Sequence, residues 1–151
     1  MRECGILMPI ASLPSKYGIG AFSKEAYEFV DQLKEAGQSY WQILPLGPTG
    51  YGDSPYQSFS AFAGNPYFID LEQLKKEKLL TAKECREADF GQDETCIDYG
   101  KLYENRFALL KRAFLRWKGQ TEQMGVSIER VFEKQLLPET RDYCFYAALK
   151  R

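Results

Sequence analysis

The sequence predicts an α/β fold that begins with a strand, a helix and a strand and continues as a mostly helical second half. Two short apolar runs, 5–10 and 40–46, flank a stretch with the spacing of an amphipathic helix. From Leu71 onward, apolar residues recur at helical spacing among lysines and glutamates. A strand, a helix and a strand in sequence are typical of a βαβ unit, in which a helix joins two parallel strands.

The composition excludes several classes of function. The 151 residues are 44% hydrophobic and 27% charged, which indicates a globular chain and not a disordered one. A net charge of −1 offers no basic surface for nucleic acid or for an anionic membrane, and no apolar run is long enough to span one. The absence of histidine excludes Ser-His-Asp and Cys-His nucleophiles and histidine-bearing zinc sites within these residues. We therefore expect no nucleic-acid or membrane partner and no metal.

The cysteines predict a reducing, cytoplasmic setting. The four of them are scattered and include no C-x-x-C pair; they are Cys4, Cys85, Cys96 and Cys144. The chain also begins without an apolar signal segment.

Both apolar runs favour strands that are covered on both faces, because neither alternates with polar residues. Pro9 is an awkward residue for a central strand. Between the runs, four apolar residues fall at i, i+3, i+4 and i+7: Ala26, Phe29, Val30 and Leu33. Ser23 is predicted to be the N-cap of this helix, and Gly37 the glycine just past its end.

The segment 47–68 is predicted to be a long functional loop, since Gly, Pro, Ser, Asn and Asp are interspersed with six aromatic residues. This loop and the loop 12–20 both follow predicted strands, so both are expected at the sheet edge where α/β folds build ligand sites. Aromatic faces and short hydrogen-bonding groups suit a sugar, whereas a segment without Lys or Arg does not suit a phosphate. The alternative for each ring is simple packing. We expect Phe59, Phe62 and Phe68 in the core and Tyr56 as the best ligand face.

The second half is predicted to contain helices at 101–118, 127–137 and 139–150, with Pro138 as the break between the last two. No third buried strand is evident after Leu46. Because two parallel strands do not make a stable sheet by themselves, the chain is typical of the opening of a larger α/β fold.

Five segments together carry a specific resemblance: SLP at 12–14, YGIG at 17–20, YWQ at 40–42, LPLGPTGYGDSPYQS at 44–58 and SAFAGNP at 60–66. They resemble the 4-α-glucanotransferases, which are the amylomaltases or disproportionating enzymes of glycoside hydrolase family 77. The resemblance extends over residues 2–70 and, more loosely, over 97–100 and Tyr103.

The resemblance implies the N-terminal part of a TIM (β/α)₈ barrel, with its first two strands and first helix, and a mostly helical insertion. Residues 1–68 would begin the catalytic barrel, and 69–151 would belong to an incomplete helical insertion. The implied activity is retaining transfer of α-1,4-glucan segments to a glucan or glucose acceptor, without a cofactor. The implied partners are α-1,4-glucans and the missing C-terminal part of the same enzyme.

The family's catalytic carboxylates lie in later segments, so the resemblance implies no catalytic residue here and no activity for this chain alone. Tyr56 matches the tyrosine that stacks on the glucosyl unit at the cleavage point, and Ser54 matches a hydrogen-bonding partner of the same region. Tyr51 and Tyr103 match tyrosines of a secondary glucan-binding surface. Asp53, the only carboxylate between residues 47 and 68, is expected to bind substrate or to order the loop.

Two alternatives remain open at the level of sequence. One is a stand-alone glucan-binding module that uses the tyrosine-rich loop without catalysis. The other is a truncated chain with no activity of its own.

Overall fold

A computed structural model describes residues 3–93, 95–135 and 137–149. Strands β1 (Gly5–Leu7) and β2 (Tyr40–Gln42) pair in parallel, with Gly5 opposite Tyr40 and Leu7 opposite Gln42. Helix α1 (Lys24–Glu35) joins them. This order confirms the predicted strand, helix and strand.

The second half of the described chain is helical, as predicted. Its elements are α2 (Leu71–Lys76), α3 (Ala82–Glu87), α4 (Tyr99–Lys101), a π-helical turn (Leu102–Arg106), α5 (Phe107–Gln123), α6 (Ile128–Gln135) and α7 (Pro138–Leu149). The helix predicted at 101–118 is therefore longer and contains a π-turn. Pro138 separates α6 from α7 as expected, and it is the first residue of α7, where a missing N–H costs no hydrogen bond. Leu136 and Lys150, at the predicted ends of the last two helices, lie outside the described residues.

Both strands are shorter than predicted. The last bond of the ladder runs from the Met8 N–H to the Gln42 carbonyl (3.0 Å), and the next residue, Pro9, has no N–H to donate. The chain then turns into a short 3₁₀ helix at Ile10–Ser12. The apolar residues of 5–10 thus serve two different elements.

The expectation that both strands are covered on both faces is wrong for the described residues. Leu7 and Tyr40 are exposed, and β1 is exposed along its length. The sheet has two strands in the described part of the chain, so its outer edges and much of its surface are uncovered.

The two ends of α1 differ in how well the sequence predicts them. Gly37 has φ +69°, and the N–H groups of Gly37 and Gln38 donate to the carbonyls of Lys34 and Leu33, which forms the predicted glycine C-cap. Ser23 occupies the N-cap position, but its hydroxyl donates to the Glu25 carboxylate (2.5 Å) and caps no N–H.

Two apolar clusters form the core. The larger one joins loop 12–20 and the end of loop 47–68 to α2, α3 and α5, around the fully buried Leu71 and Leu102. The smaller one lies beneath the sheet, where Trp41 packs edge-on against Phe29 (5.0 Å) and donates to the Met8 carbonyl (2.8 Å). The core therefore anchors both loops that follow the strands. The proposed boundary between 1–68 and 69–151 stays a prediction.

Candidate functional site

The segment after β2 forms an irregular loop with a pinched base. Thr49 and Ser58 pair as an isolated antiparallel bridge, and the Asn65 N–H donates to the Leu46 carbonyl (2.8 Å). The segment 49–58 is therefore closed at its base and projects as a loop from the chain that follows β2. This confirms the predicted loop.

Two consecutive turns build the apex of this loop. The Asp53 N–H donates to the Gly50 carbonyl (3.1 Å), and the Gln57 N–H donates to the Ser54 carbonyl (3.1 Å). Asp53 has φ +56°, a left-handed conformation that is unusual for a residue other than glycine. Backbone strain of this kind is concentrated at ligand-binding sites.

Tyr51 and Tyr56 project from the apex into solvent. Tyr51 is fully exposed, and Tyr56 is 72% exposed. Within the part of the chain that the structure describes, neither ring packs against another aromatic ring. Most of the surface of each side chain is therefore available to a ligand.

Serine side chains hold the loop in shape. The Ser58 hydroxyl donates to the Ser60 carbonyl (2.7 Å), and the Ser60 hydroxyl accepts from the N–H groups of Phe62 and Ala63 (both 3.2 Å). The short hydrogen-bonding groups of this loop were expected to suit a sugar, but the Ser58 and Ser60 hydroxyls are engaged with the loop's own backbone. Ser54 is bound more loosely, since its hydroxyl accepts from the Tyr56 N–H at 3.4 Å.

The prediction that Phe59 and Phe62 belong to the core is wrong, because the two side chains are 51% and 63% exposed. The Phe59 ring lies over Gly50, where an added Cβ would be 2.8 Å from the ring, and 6.3 Å from the Tyr146 ring of α7. Phe68 fits the prediction in part, since it is half-buried and contacts both core clusters.

Tyr67 anchors the end of the loop in the core. It is buried, and its ring lies 6.1 Å from Tyr99 and 5.4 Å from Phe107. The exposed Tyr103 also packs against Phe107, at 5.5 Å. The helical half thereby brings Tyr103 to the base of the loop, although it is far from it in sequence.

The Asp53 carboxyl group lies near the same aromatic cluster. Burial raises the pKa of Tyr67 to about 12, and the negative charge of Asp53 adds to this effect. Burial and Asp53 likewise raise the pKa of Tyr99, and burial raises the pKa of Asp53 itself. The structure thus groups Asp53 with Tyr67 and Tyr99, whereas Tyr51 and Tyr56 point away from the core.

The carboxylates nearest to the loops serve structural purposes. Glu72 accepts from the Tyr17 hydroxyl (2.5 Å) and pairs with Lys16 (2.5 Å) and Lys75 (2.8 Å), and these contacts lower its pKa to about 2. Asp70 caps α2 by accepting from the Glu72 N–H (2.8 Å).

The described part of the chain contains neither a metal-binding cluster nor a membrane-spanning helix. No group of three or more His, Cys, Asp or Glu side chains in it is arranged to hold a metal ion. In the same residues, every helix is too short or too polar to cross a membrane.

Sequence reasoning named Tyr103 from the helical half but missed Tyr99, Phe107 and Arg106, which pack at the end of the loop. Tyr99 belongs to the loosely similar segment 97–100, which was a signal for it. Phe107 and Arg106 had no such signal, because a helical stripe does not reveal which loop it will contact.

Comparison with known proteins agrees with this geometry. A sequence model of the 4-alpha-glucanotransferase family matches residues 8–151, which is nearly the whole chain and includes the entire loop. The chain belongs to the 4-alpha-glucanotransferase family. The resemblance seen in the sequence is therefore confirmed.

Members of the family with curated names align closely. The 4-alpha-glucanotransferase of Streptococcus pneumoniae is 56% identical over 77% of this chain and 23% of its own length. That of Thermus thermophilus is 45% identical over 99% of this chain and 29% of its own length. The solved amylomaltase from Streptococcus agalactiae, in complex with acarbose, is 42% identical and superposes with a TM-score of 0.79 over 89% of this chain and 27% of that one. The chain spans less than a third of the length of each of these relatives.

Proposed function

We propose that residues 1–151 form the N-terminal part of a 4-α-glucanotransferase, which moves α-1,4-glucan segments onto a glucan or glucose acceptor with retention of configuration. The observation that carries the proposal is the family match over residues 8–151, which contains all five candidate site residues. In support, the amylomaltase of Streptococcus agalactiae was solved with the sugar-like ligand acarbose.

Tyr56 and Ser54 are the proposed contacts to the sugar at the bond that is cleaved. An exposed phenol ring offers a flat face to the C–H groups of a glucosyl ring and a hydroxyl to its rim. Ser54 precedes Tyr56 by two residues, and its hydroxyl, which accepts from the Tyr56 N–H, keeps a hydrogen that it can donate.

Tyr51 and Tyr103 are proposed to bind glucan at a secondary surface, since both side chains are exposed. Asp53 is proposed to order the loop. Its left-handed backbone and its position by Tyr67 and Tyr99 support this role.

The two strands are proposed to be the first two of a TIM barrel, and later strands of a longer protein would cover their open edges. The catalytic pair of carboxylic acids would come from those later segments. In a retaining mechanism, one carboxylate attacks the anomeric carbon while a carboxylic acid protonates the departing oxygen, and an acceptor hydroxyl then displaces the enzyme. The reaction requires no cofactor. A cytoplasmic location is proposed as well, consistent with four cysteines that form no disulfide.

The proposal is tested by a chimera in which residues 1–151 replace the matching segment of the Streptococcus agalactiae amylomaltase. The purified chimera is expected to convert maltotriose into glucose and longer malto-oligosaccharides. A folded chimera, shown by a cooperative melting transition, that releases no glucose would contradict the proposal. Binding of maltoheptaose by residues 1–151 alone, beside an inactive chimera, would favour the glucan-binding module instead.

A further inference from the structure

Arg106 is a charged residue in the middle of the core. Its side chain is 1% exposed, with Nη2 donating to the Ile69 carbonyl (2.7 Å) and Nη1 to the Tyr17 carbonyl (3.4 Å). Its Nε has no hydrogen-bond partner among the described residues. No carboxylate in the described chain forms an ion pair with it.

The two carbonyls belong to the two loops that follow the strands. Tyr17 lies in loop 12–20, and its side chain is held by Phe90 (5.7 Å) and by the Glu72 carboxylate. Ile69 comes directly after the 3₁₀ turn Pro66–Phe68, which ends the tyrosine-rich loop. One guanidinium group therefore ties both loops to the helical half.

Burying the charged side chain of Arg106 in the core is energetically unfavourable. Burial removes water from the guanidinium, disfavours its charged form and lowers its pKa to about 10. A buried charge is often no more stabilising than an apolar residue of similar volume. What a guanidinium adds is direction, because its planar donors fix the position of each acceptor.

The backbone around Arg106 is also unusual. It is the last residue of the π-helical turn Leu102–Arg106, and the Asn105 amide donates to the Lys101 carbonyl (3.1 Å) at the start of this turn. π-Turns are rare inside helices, and those that do occur are often found at functional sites. This turn directs Arg106 into the core while Tyr103, one of the proposed glucan contacts, stays exposed.

We propose that Arg106 is a positioning residue of the glucan site, which holds loop 12–20 and the end of loop 47–68 at a fixed separation. This inference rests on the proposed function. Displacing the loops by a fraction of an ångström would move Tyr56 and Ser54 away from the productive geometry without touching the substrate directly.

The test uses the full chain in the chimera described above, with the variants Arg106→Met and Arg106→Lys. Arg116→Met is the matched control, because Arg116 also donates to a backbone carbonyl, that of Leu79 (2.9 Å), but lies between α3 and α5, away from the loops. All kinetics are measured with maltotriose at a temperature where each variant is folded.

Arg106→Met is expected to raise KM and to lower kcat/KM by about tenfold or more, because the loops that contact the substrate would be misplaced. Arg106→Lys, which keeps a donor for Ile69, is expected to recover part of the loss. Arg116→Met is expected to lower Tm and leave kcat/KM within about twofold of the parent. If Arg106→Met does not fold, Arg106→Lys decides, with a several-fold loss of kcat/KM expected.

Three results overturn the inference. The first is an unchanged kcat/KM in Arg106→Met, or in Arg106→Lys if only that variant folds. The second is an equal loss in Arg116→Met at a comparable lowering of Tm, which would reduce Arg106 to a stabilising residue. The third is a parent chimera without activity, which removes the proposed function itself and this inference with it.

Discussion

The Glu84 carboxylate of α3 and the Arg116 guanidinium of α5 form a two-point ion pair. Oε1 lies 2.7 Å from Nη2, and Oε2 lies 2.8 Å from Nη1. Thr81 completes the arrangement as a capping box, because its N–H and hydroxyl donate to Glu84 and its Oγ1 accepts from the Glu84 N–H. These contacts, led by Arg116, lower the pKa of Glu84 to about 2.

The first prediction concerns the pH dependence of this pair. A carboxyl group whose pKa is lower in the folded state stabilises the fold above its ordinary value of 4.5, and this stabilisation is lost as the pH falls toward 2. Glu84→Gln should therefore lower Tm at pH 7, by about 3 °C. The difference from the parent chimera should shrink when melting is repeated at about pH 3.5, because Glu84 is then mostly protonated in the unfolded parent but still ionised in the folded one, which removes part of the stabilisation.

The control for this prediction is Glu87→Gln in the same helix. Glu87 forms a long, exposed pair with Lys83 (3.7 Å), which contributes little. Its Tm should stay close to that of the parent at both pH values. If Glu84→Gln lowers Tm by the same amount at both pH values, the charge of Glu84 is not what stabilises the contact.

The second prediction concerns Tyr56. If its ring stacks on the sugar at the cleaved bond, the contact should tighten as that sugar flattens in the transition state. In the chimera, Tyr56→Ala should lower kcat together with kcat/KM, by about one to two orders of magnitude. Tyr27→Ala is the matched control, because Tyr27 is equally exposed (72%) but lies on α1. A Tyr56→Ala chimera with a lower Tm and normal kcat would remove Tyr56 from the site.

The third prediction separates the secondary surface from the cleavage point. Tyr51→Ala and Tyr103→Ala should leave the rate with maltotriose almost unchanged and lower the apparent affinity for long amylose, because only a long chain reaches both surfaces. The measurement is kcat/KM with each substrate on one preparation. Equal losses with both substrates would place these tyrosines at the cleavage point.

The fourth prediction concerns the pinched base of the loop. A Cβ at Gly47 would lie 2.2 Å from the Ser58 hydroxyl and 2.8 Å from the Ser60 carbonyl, so Gly47→Ala must displace the serine turns. It should lower Tm by several degrees and kcat/KM by about tenfold. Gly64→Ala is the control, since no atom lies within 4 Å of its added Cβ. Equal behaviour of the two variants would show that the close packing at Gly47 is unimportant.

The fifth prediction concerns the chain without its proposed remainder. Ile6 and Leu7 are exposed on β1, whose outer edge is unpaired among the described residues. The isolated 151-residue chain should bind a hydrophobic dye more strongly than the chimera, self-associate, and release no glucose from maltotriose. Clean glucose release by the isolated chain, or a monomer that binds no dye, would contradict the proposal that later segments supply the catalytic carboxylates and cover the open strands.

Several features of the fold could be predicted from sequence because each depends on neighbouring residues. Helical spacing of Ala26, Phe29 and Leu33 predicted α1, and Gly37 marked its end because few other residues adopt its left-handed backbone at low cost. The motif around Tyr56 predicted the loop and the family. Pro9 argued against a long first strand, and β1 indeed ends before it.

Other features were decided by contacts between distant segments. Phe59 and Phe62 are as apolar as any core residue, but the loop that carries them lies on the surface, so hydrophobicity alone misplaced them. The burial of Arg106 could not be predicted either, because charged residues of a helix usually face solvent.

The sequence by itself determined the order of the elements, the end of α1, the loop and the family, since these depend on local backbone preferences and on a contiguous motif. Only the tertiary structure decided that Tyr103 and Asp53 meet the cluster around Tyr67 and that Arg106 holds Tyr17 and Ile69. The physical reason is that a buried donor must find an acceptor, and packing places next to it acceptors that are far away in sequence.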